Sequence, residues 1–156
     1  PWSKFNAHGW SKFSAQRQYT ELFFLDEATA LAAGHRPCAE CRRDQYKSFL
    51  AAWPETGAKA GDVDATLKRE RTNENRKVVC AGQIASLPSG IIIKSVANGV
   101  FYLLLGGSAY AWSFSGYEAR KSLQTLIGDF RVMTPASTVA ALKNGYRPGV
   151  HPSAVS

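Results

Sequence analysis

The sequence predicts an α+β fold: a single small domain with an antiparallel sheet of three to four strands, about three helices and a Cys-x-x-Cys knuckle. Three observations carry this prediction. Short apolar runs separated by glycine turns fill the second half of the chain, alanine-rich segments have helical composition, and Asn98-Gly99 favours a tight β-hairpin. The 156 residues, 45% of them hydrophobic, are sufficient for one domain with its own core.

Residues 1–53 are predicted to form a region of strand, helix and knuckle. Residues 1–18 combine aromatic and basic side chains, which suits stacking on nucleic-acid bases and packing at the edge of a core equally well. The apolar run at 21–25 predicts a short strand, and Asp26 is placed to cap a helix that runs to Ala33.

The knuckle follows this helix directly. Gly34 supplies the left-handed residue that ends many helices, and Pro37 prevents the helix from continuing. Cys38 and Cys41 are spaced so that both sulfurs can point at one centre, as half of a tetrahedral zinc site or as a redox-active pair. A bare dithiol without metal stays open as a third interpretation.

A second helix is predicted at 44–53. Its apolar side chains recur at the spacing of one helix face, which is expected to face the core: Tyr46, Phe49, Leu50 and Trp53. Residues 54–77 are predicted to be a charged loop or helix that connects the two halves. Charges of both signs in such a segment are typical of a solvated helix or a mobile stretch, although its cations are also candidates for phosphate contacts.

Residues 78–156 are predicted to form an antiparallel β-meander and a C-terminal helix, packed as one domain with residues 1–53. Glycine turns delimit the expected strands, which lie at 91–96, 100–105, 109–114 and 130–133. Thr134-Pro135 starts the last helix near 137–143, because proline is favoured in the first helical turn.

A structural zinc normally takes four nitrogen or sulfur ligands, and Cys38 and Cys41 supply two of them. His8 and His151 are the candidates for the other two. His8 lies thirty positions before Cys38. The segment 145–148 repeats the helix stop that precedes the knuckle, and His151 then follows it much as Cys41 follows the first copy.

The net charge of +7 and the isoelectric point near 9.5 favour a polyanionic partner, and nucleic acid, above all DNA, is the expected one. Simple solubility is the alternative explanation of this charge. The candidate nucleic-acid contacts are the basic side chains around the knuckle: His35, Arg36, Arg42, Arg43 and Lys47.

Three cysteines, an odd number, do not make a disulfide scaffold and indicate a reducing, cytoplasmic environment. Cys80 follows two valines and is expected to be a small core residue. No apolar run approaches the roughly 18 residues of a membrane span, so no membrane partner is expected.

One block of the chain resembles the second half of the zinc-binding domain of Ada, the bacterial methylation-response and DNA-repair protein. In that family the motif reads aromatic-rich strand, alanine-rich helix, then Gly-aromatic-Arg-Pro-Cys-x-x-Cys. The matching residues here are Phe23-Phe24, Glu27-Ala28 and Ala32-Ala33-Gly34-His35-Arg36-Pro37-Cys38-x-x-Cys41. The resemblance implies a zinc-clasped module that binds the DNA backbone.

The resemblance covers only about residues 21–43, and it departs from the family in one respect. The family's other two zinc cysteines come earlier in the chain, and one of them accepts a methyl group from DNA. No cysteine precedes Cys38 here, so methyl transfer is not implied. The longer pattern, including the tail at 134–152, resembles a group of bacterial proteins.

Two other classes of function stay open. The first is an enzyme that processes nucleic acid, either a nuclease or an alkyl-damage repair protein, with a thiol or a metal at the knuckle. The sequence carries no glycine-rich phosphate loop and no Gly-x-Ser-x-Gly or His-Glu-x-x-His motif. The second is a structural or assembly protein in which zinc serves folding alone.

Overall fold

The computed structural model describes residues 3–5, 22–72 and 76–155. They form an α+β fold in which the strand pairings are antiparallel. The elements in chain order are β1 (Ser3–Phe5), β2 (Leu22–Phe24), α1 (Glu27–Ala32), α2 (Arg43–Ala52), α3 (Ala60–Thr72), β3 (Val78–Cys80), β4 (Ile91–Ser95), β5 (Phe101–Leu105), β6 (Ser108–Ser113), β7 (Gly116–Ser122), β8 (Asp129–Val132) and α4 (Ala136–Lys143). Short 3₁₀ turns lie at Ala81–Ser86, Leu123–Thr125 and Pro152–Ala154.

The main sheet has six strands in the order β3-β8-β4-β5-β6-β7, so the predicted number of three to four was too low. The predicted hairpin is present between β4 and β5, where Gly99 adopts a φ of +74°. Two strands of this sheet were not predicted. β3 has only three residues, and β7, which reads Gly-Tyr-Glu-Ala-Arg-Lys-Ser, is a charged edge strand without a long apolar run.

Helices and chain segments cover both faces of this sheet. On one face, Ile91 and Ile93 of β4 belong to a large apolar cluster that includes side chains of α2, α3 and α4. On the other face, Ile92 packs in a second cluster with residues of α1 and with Ala154 near the C-terminus. Burial of β4 on both faces explains why the strand is an unbroken isoleucine run rather than an alternating one.

The helices lie close to their predicted positions. Asp26 caps α1 as expected, and Phe49 of α2 and Trp53, directly after that helix, are buried in the core. The charged connection is largely the helix α3, which is amphipathic because Val63 and Leu67 are buried while most of its charges face solvent. Among the described residues, no helix combines the length and the apolar character needed to cross a bilayer.

Candidate functional site

The segment for which a knuckle was predicted, residues 34–42, is the irregular connection between α1 and α2, and we call it the cysteine turn. Gly34 has a φ of +80° and its N–H bonds the carbonyl of Leu31, while the N–H of His35 reaches back to the carbonyl of Ala30. α3 packs against the start of this turn. A β-carbon placed on Gly34 would lie 2.8 Å from the β-carbon of Arg71.

This close packing predicts that Gly34→Ala destabilises the protein more than Gly57→Ala. The two glycines have nearly equal φ values, +80° and +79°, so backbone strain is matched between the two variants. Nothing lies within 4 Å of the added carbon at Gly57. We therefore expect Gly34→Ala to cost about 1–3 kcal/mol more in urea denaturation, from overpacking against α3. An equal loss of unfolding free energy in the two variants would show that α3 is not tightly packed against Gly34.

The two thiols of the turn lie together. The Cys38 side chain is buried, Cys41 is exposed, and the Cys41 thiol hydrogen-bonds the Cys38 sulfur. Burial acts to raise the pKa of the Cys38 thiol, but hydrogen bonds from the backbone N–H groups of Cys41 and Glu40 and from the Cys41 thiol outweigh it. The pKa of Cys38 is consequently lowered, which favours the thiolate that metal binding or nucleophilic attack requires.

Arg36 fixes the turn to both neighbouring helices. Its guanidinium makes two hydrogen bonds with the Asp64 carboxylate of α3, at 2.7 and 2.8 Å, and a third with the carbonyl of Pro37 at 3.1 Å. The same guanidinium lies over the ring of Tyr46 in α2, 5.1 Å from the ring centre. A side chain with this many internal partners positions the turn and has little capacity left for a ligand.

Arg42 connects the turn to a buried carboxylate. Its guanidinium lies 3.1 Å from Glu27, whose side chain is only 2% exposed. The Glu27 carboxylate also accepts hydrogen bonds from the hydroxyl of Tyr146 and from the N–H of Gly149. Three donors from distant parts of the chain therefore meet on this group, as a buried charge requires.

Asp26 is buried beside Glu27, and we call these two residues the acidic pair. Asp26 accepts from the N–H and hydroxyl of Thr29 at 2.8 and 2.7 Å, the first being the helix cap. It also accepts from the Tyr117 hydroxyl at 2.8 Å and from the backbone N–H of His151 at 3.0 Å. The acidic pair thus ties the start of α1 to β7 and to the C-terminal segment.

Both tyrosines of this network are held in the neutral form. Burial raises the pKa of Tyr117, and the neighbouring charge of Asp26 adds to the effect. Burial likewise raises the pKa of Tyr146, together with its hydrogen bond to Glu27. Neither tyrosine was predicted from the sequence to belong to a site, and Glu27 was not predicted either. Their partners lie up to 122 positions away, and no local pattern carries such a signal.

The predicted basic contacts divide into two groups. Arg36 and Arg42 are engaged internally, and the half-buried His35 packs against the ring of Phe24 with 5.2 Å between ring centres. Burial lowers the pKa of His35, and the charge of Arg71 lowers it further, so the imidazole is neutral near pH 7. Arg43 and Lys47, by contrast, are exposed on the first turns of α2.

The candidate zinc ligands do not all fall within the described residues, because His8 lies outside them. At His151 the ring Nδ1 accepts from the N–H of Ser153 at 3.3 Å and lies 2.9 Å from its hydroxyl, which puts the proton of the neutral ring on Nε2. The expectation that Cys80 is a core residue was wrong: in β3 only Val79 points inward. Within 3–5, 22–72 and 76–155, no group of three or more metal-ligating side chains is present.

Comparison of the chain with protein-family models, with curated proteins and with solved structures found no match.

Proposed function

We propose that this protein binds the phosphate backbone of nucleic acid. The binding surface is formed by the cysteine turn, the first turns of α2 and the adjoining side of α3. We call this the turn surface. The observation that carries the proposal is the exposure of Arg43 and Lys47 immediately after the turn. Neither cation has an ion pair with a carboxylate among the described residues.

α3 adds further positive charge to the turn surface. Lys68 follows Asp64 by one helical turn, and Arg71 follows by two, so both lie on the side of α3 that contacts the cysteine turn. Both residues are exposed. Glu40, Asp44 and Asp64, the last paired with Arg36, are the acidic residues of the same region. A polyphosphate chain is the ligand class that several separated cations on one surface recognise best.

In this proposal Arg36 and Arg42 position the surface and do not contact phosphate themselves. Their ion pairs with Asp64 and Glu27 fix the turn between α1, α2 and α3. The N-terminus of α2 begins directly after the cysteine turn and has no side-chain cap. A helix N-terminus adds a favourable dipole for an anion that the cations already attract.

Zinc at the cysteine turn is a second part of the proposal. Cys38 and Cys41 would supply two thiolates, a donor set that zinc prefers, and the lowered pKa of Cys38 favours the required charge state. His8 stays the candidate for a third ligand. His151 would have to give up its present tautomer to bind a metal through Nε2. Elemental analysis of the purified protein and of Cys38→Ser should show about one zinc per chain in the first and less in the second.

Two variants that each remove one charge test the turn surface. Lys47→Ser alters α2, and Lys143→Ser alters the exposed end of α4. We expect Lys47→Ser to weaken binding of a 20-base-pair DNA duplex about three- to tenfold in fluorescence anisotropy, uniformly across sequences, because one phosphate contact is lost. Lys143→Ser should bind the duplex with the affinity of the parent protein. Equal weakening in both variants, or no binding by the parent to DNA or RNA, would overturn the proposal.

A further inference from the structure

The main sheet carries cations and aromatic rings side by side across neighbouring strands. The pairing registers place Arg131 of β8 opposite Lys94 of β4, and Lys94 opposite Phe101 of β5. Trp112 of β6 continues the line, with its ring centre 6.2 Å from that of Phe101. Cross-strand partners share one face of a sheet, so these four side chains form a continuous strip.

One end of this strip is open aromatic surface. Phe114, at the turn between β6 and β7, is 77% exposed, and its ring centre lies 4.9 Å from that of Trp112 in an edge-to-face arrangement. Phe101 and Trp112 are each partly exposed beside it. We call Phe101, Trp112 and Phe114 the aromatic row. Burying a phenylalanine side chain is worth about 1.5–3 kcal/mol, so a ligand that covered the Phe114 ring would gain a favourable contact.

The other end of the strip is positively charged. Lys94 lies 5.2 Å from the centre of the Phe101 ring, and Arg131 is exposed next to it. Arg76 is close enough to Arg131 for the two charges to interact, and burial together with that repulsion lowers the pKa of Arg76. Clustered like charges of this kind are relieved when an anion binds between or beside them.

We infer that this strip is a binding site for single-stranded nucleic acid, with bases stacked on the aromatic row and phosphates held by Lys94 and Arg131. Rings with cations at one side are what a single strand requires, since each of its repeating units has a flat base and a charged phosphate. A duplex keeps its bases stacked inside and would gain nothing from the rings. This inference rests on the proposed function and adds base contacts at a second surface.

The variant Phe114→Ala tests the inference, because so exposed a ring contributes little to folding. The matched control is Ile127→Ala, which shortens an apolar side chain that is 83% exposed in another loop. The probes are a 20-nucleotide oligothymidine and an abasic oligonucleotide of the same length and charge. The parent protein should bind oligothymidine about tenfold more tightly than the abasic strand, as expected for stacking of one or two bases.

Phe114→Ala should remove most of this preference, whereas Ile127→Ala and the ring-retaining Trp112→Phe should keep it. If Phe114→Ala binds both strands as the parent does while Lys47→Ser is weakened, the aromatic row is not a base-binding site and the proposed function stands. If the parent shows no preference for bases over the abasic strand, the inference is likewise overturned. If no nucleic acid binds at all, both proposals fail.

Discussion

Replacing Glu27 by alanine is expected to destabilise the folded protein by about 3–5 kcal/mol, the range observed when one partner of a buried charge network is removed. The substitution would leave the Arg42 guanidinium, the Tyr146 hydroxyl and the Gly149 N–H without their shared acceptor. Small proteins have about 5–15 kcal/mol of stability in total, so a loss of this size would leave part of the chain unfolded near the lower end of that range.

Chemical denaturation followed by circular dichroism measures this loss. Glu55→Ala is the matched control, because Glu55 is exposed and should change the unfolding free energy by less than about 0.5 kcal/mol. A double-mutant cycle of Glu27→Ala with Tyr146→Phe isolates the interaction between these two side chains. We expect a coupling energy of about 1–3 kcal/mol. A loss below about 1 kcal/mol for Glu27→Ala would contradict the role given to the acidic pair.

The second large effect is a loss of stability at alkaline pH. The pKa values of Tyr117 and Tyr146 are raised in the folded protein above the value of about 10 that tyrosine has in an unfolded chain. Below pH 10 both states keep the proton, and this contribution to stability is fully present. Above it the unfolded chain releases the proton and the folded one does not, so stability falls by about 1.4 kcal/mol per pH unit for each tyrosine.

Urea denaturation between pH 9 and 11.5 tests this dependence. Tyr117→Phe and Tyr146→Phe each remove one titrating hydroxyl, so each should flatten the decline even though it lowers stability at pH 8. Groups such as lysines titrate in all three proteins and cancel in the comparison. A parallel decline in parent and variants would mean that the two hydroxyls reach solvent and ionise in the folded state.

The features that could be predicted from the sequence are those set by neighbouring residues. Asp26 caps α1 and Gly34 stops it because capping and left-handed backbone are local properties. The β4–β5 hairpin follows in the same way from Asn98-Gly99. By contrast, β7 has little apolar content and lies at the sheet edge. Its strand conformation depends on the hydrogen bonds with β6, which the local sequence does not reveal.

The candidate site was less predictable, because contacts between residues far apart in the sequence determine the role of each side chain. Arg36 lies two positions before a cysteine in the sequence, yet its guanidinium forms an ion pair with Asp64, 28 positions away. Arg42 likewise forms an ion pair with Glu27, whereas Arg43 remains exposed. Neighbouring arginines therefore have different roles, and nothing in their local sequence separates them.

The salt dependence of nucleic-acid binding shows whether the protein recognises phosphates through its exposed cations. The affinity for a single-stranded and a duplex oligonucleotide is measured by fluorescence anisotropy between 50 and 300 mM salt. We expect the logarithm of the binding constant to fall linearly with the logarithm of salt concentration, with a slope near −2 to −4 if about three or four phosphates are neutralised. A slope near zero, or no binding at 50 mM salt, would contradict it.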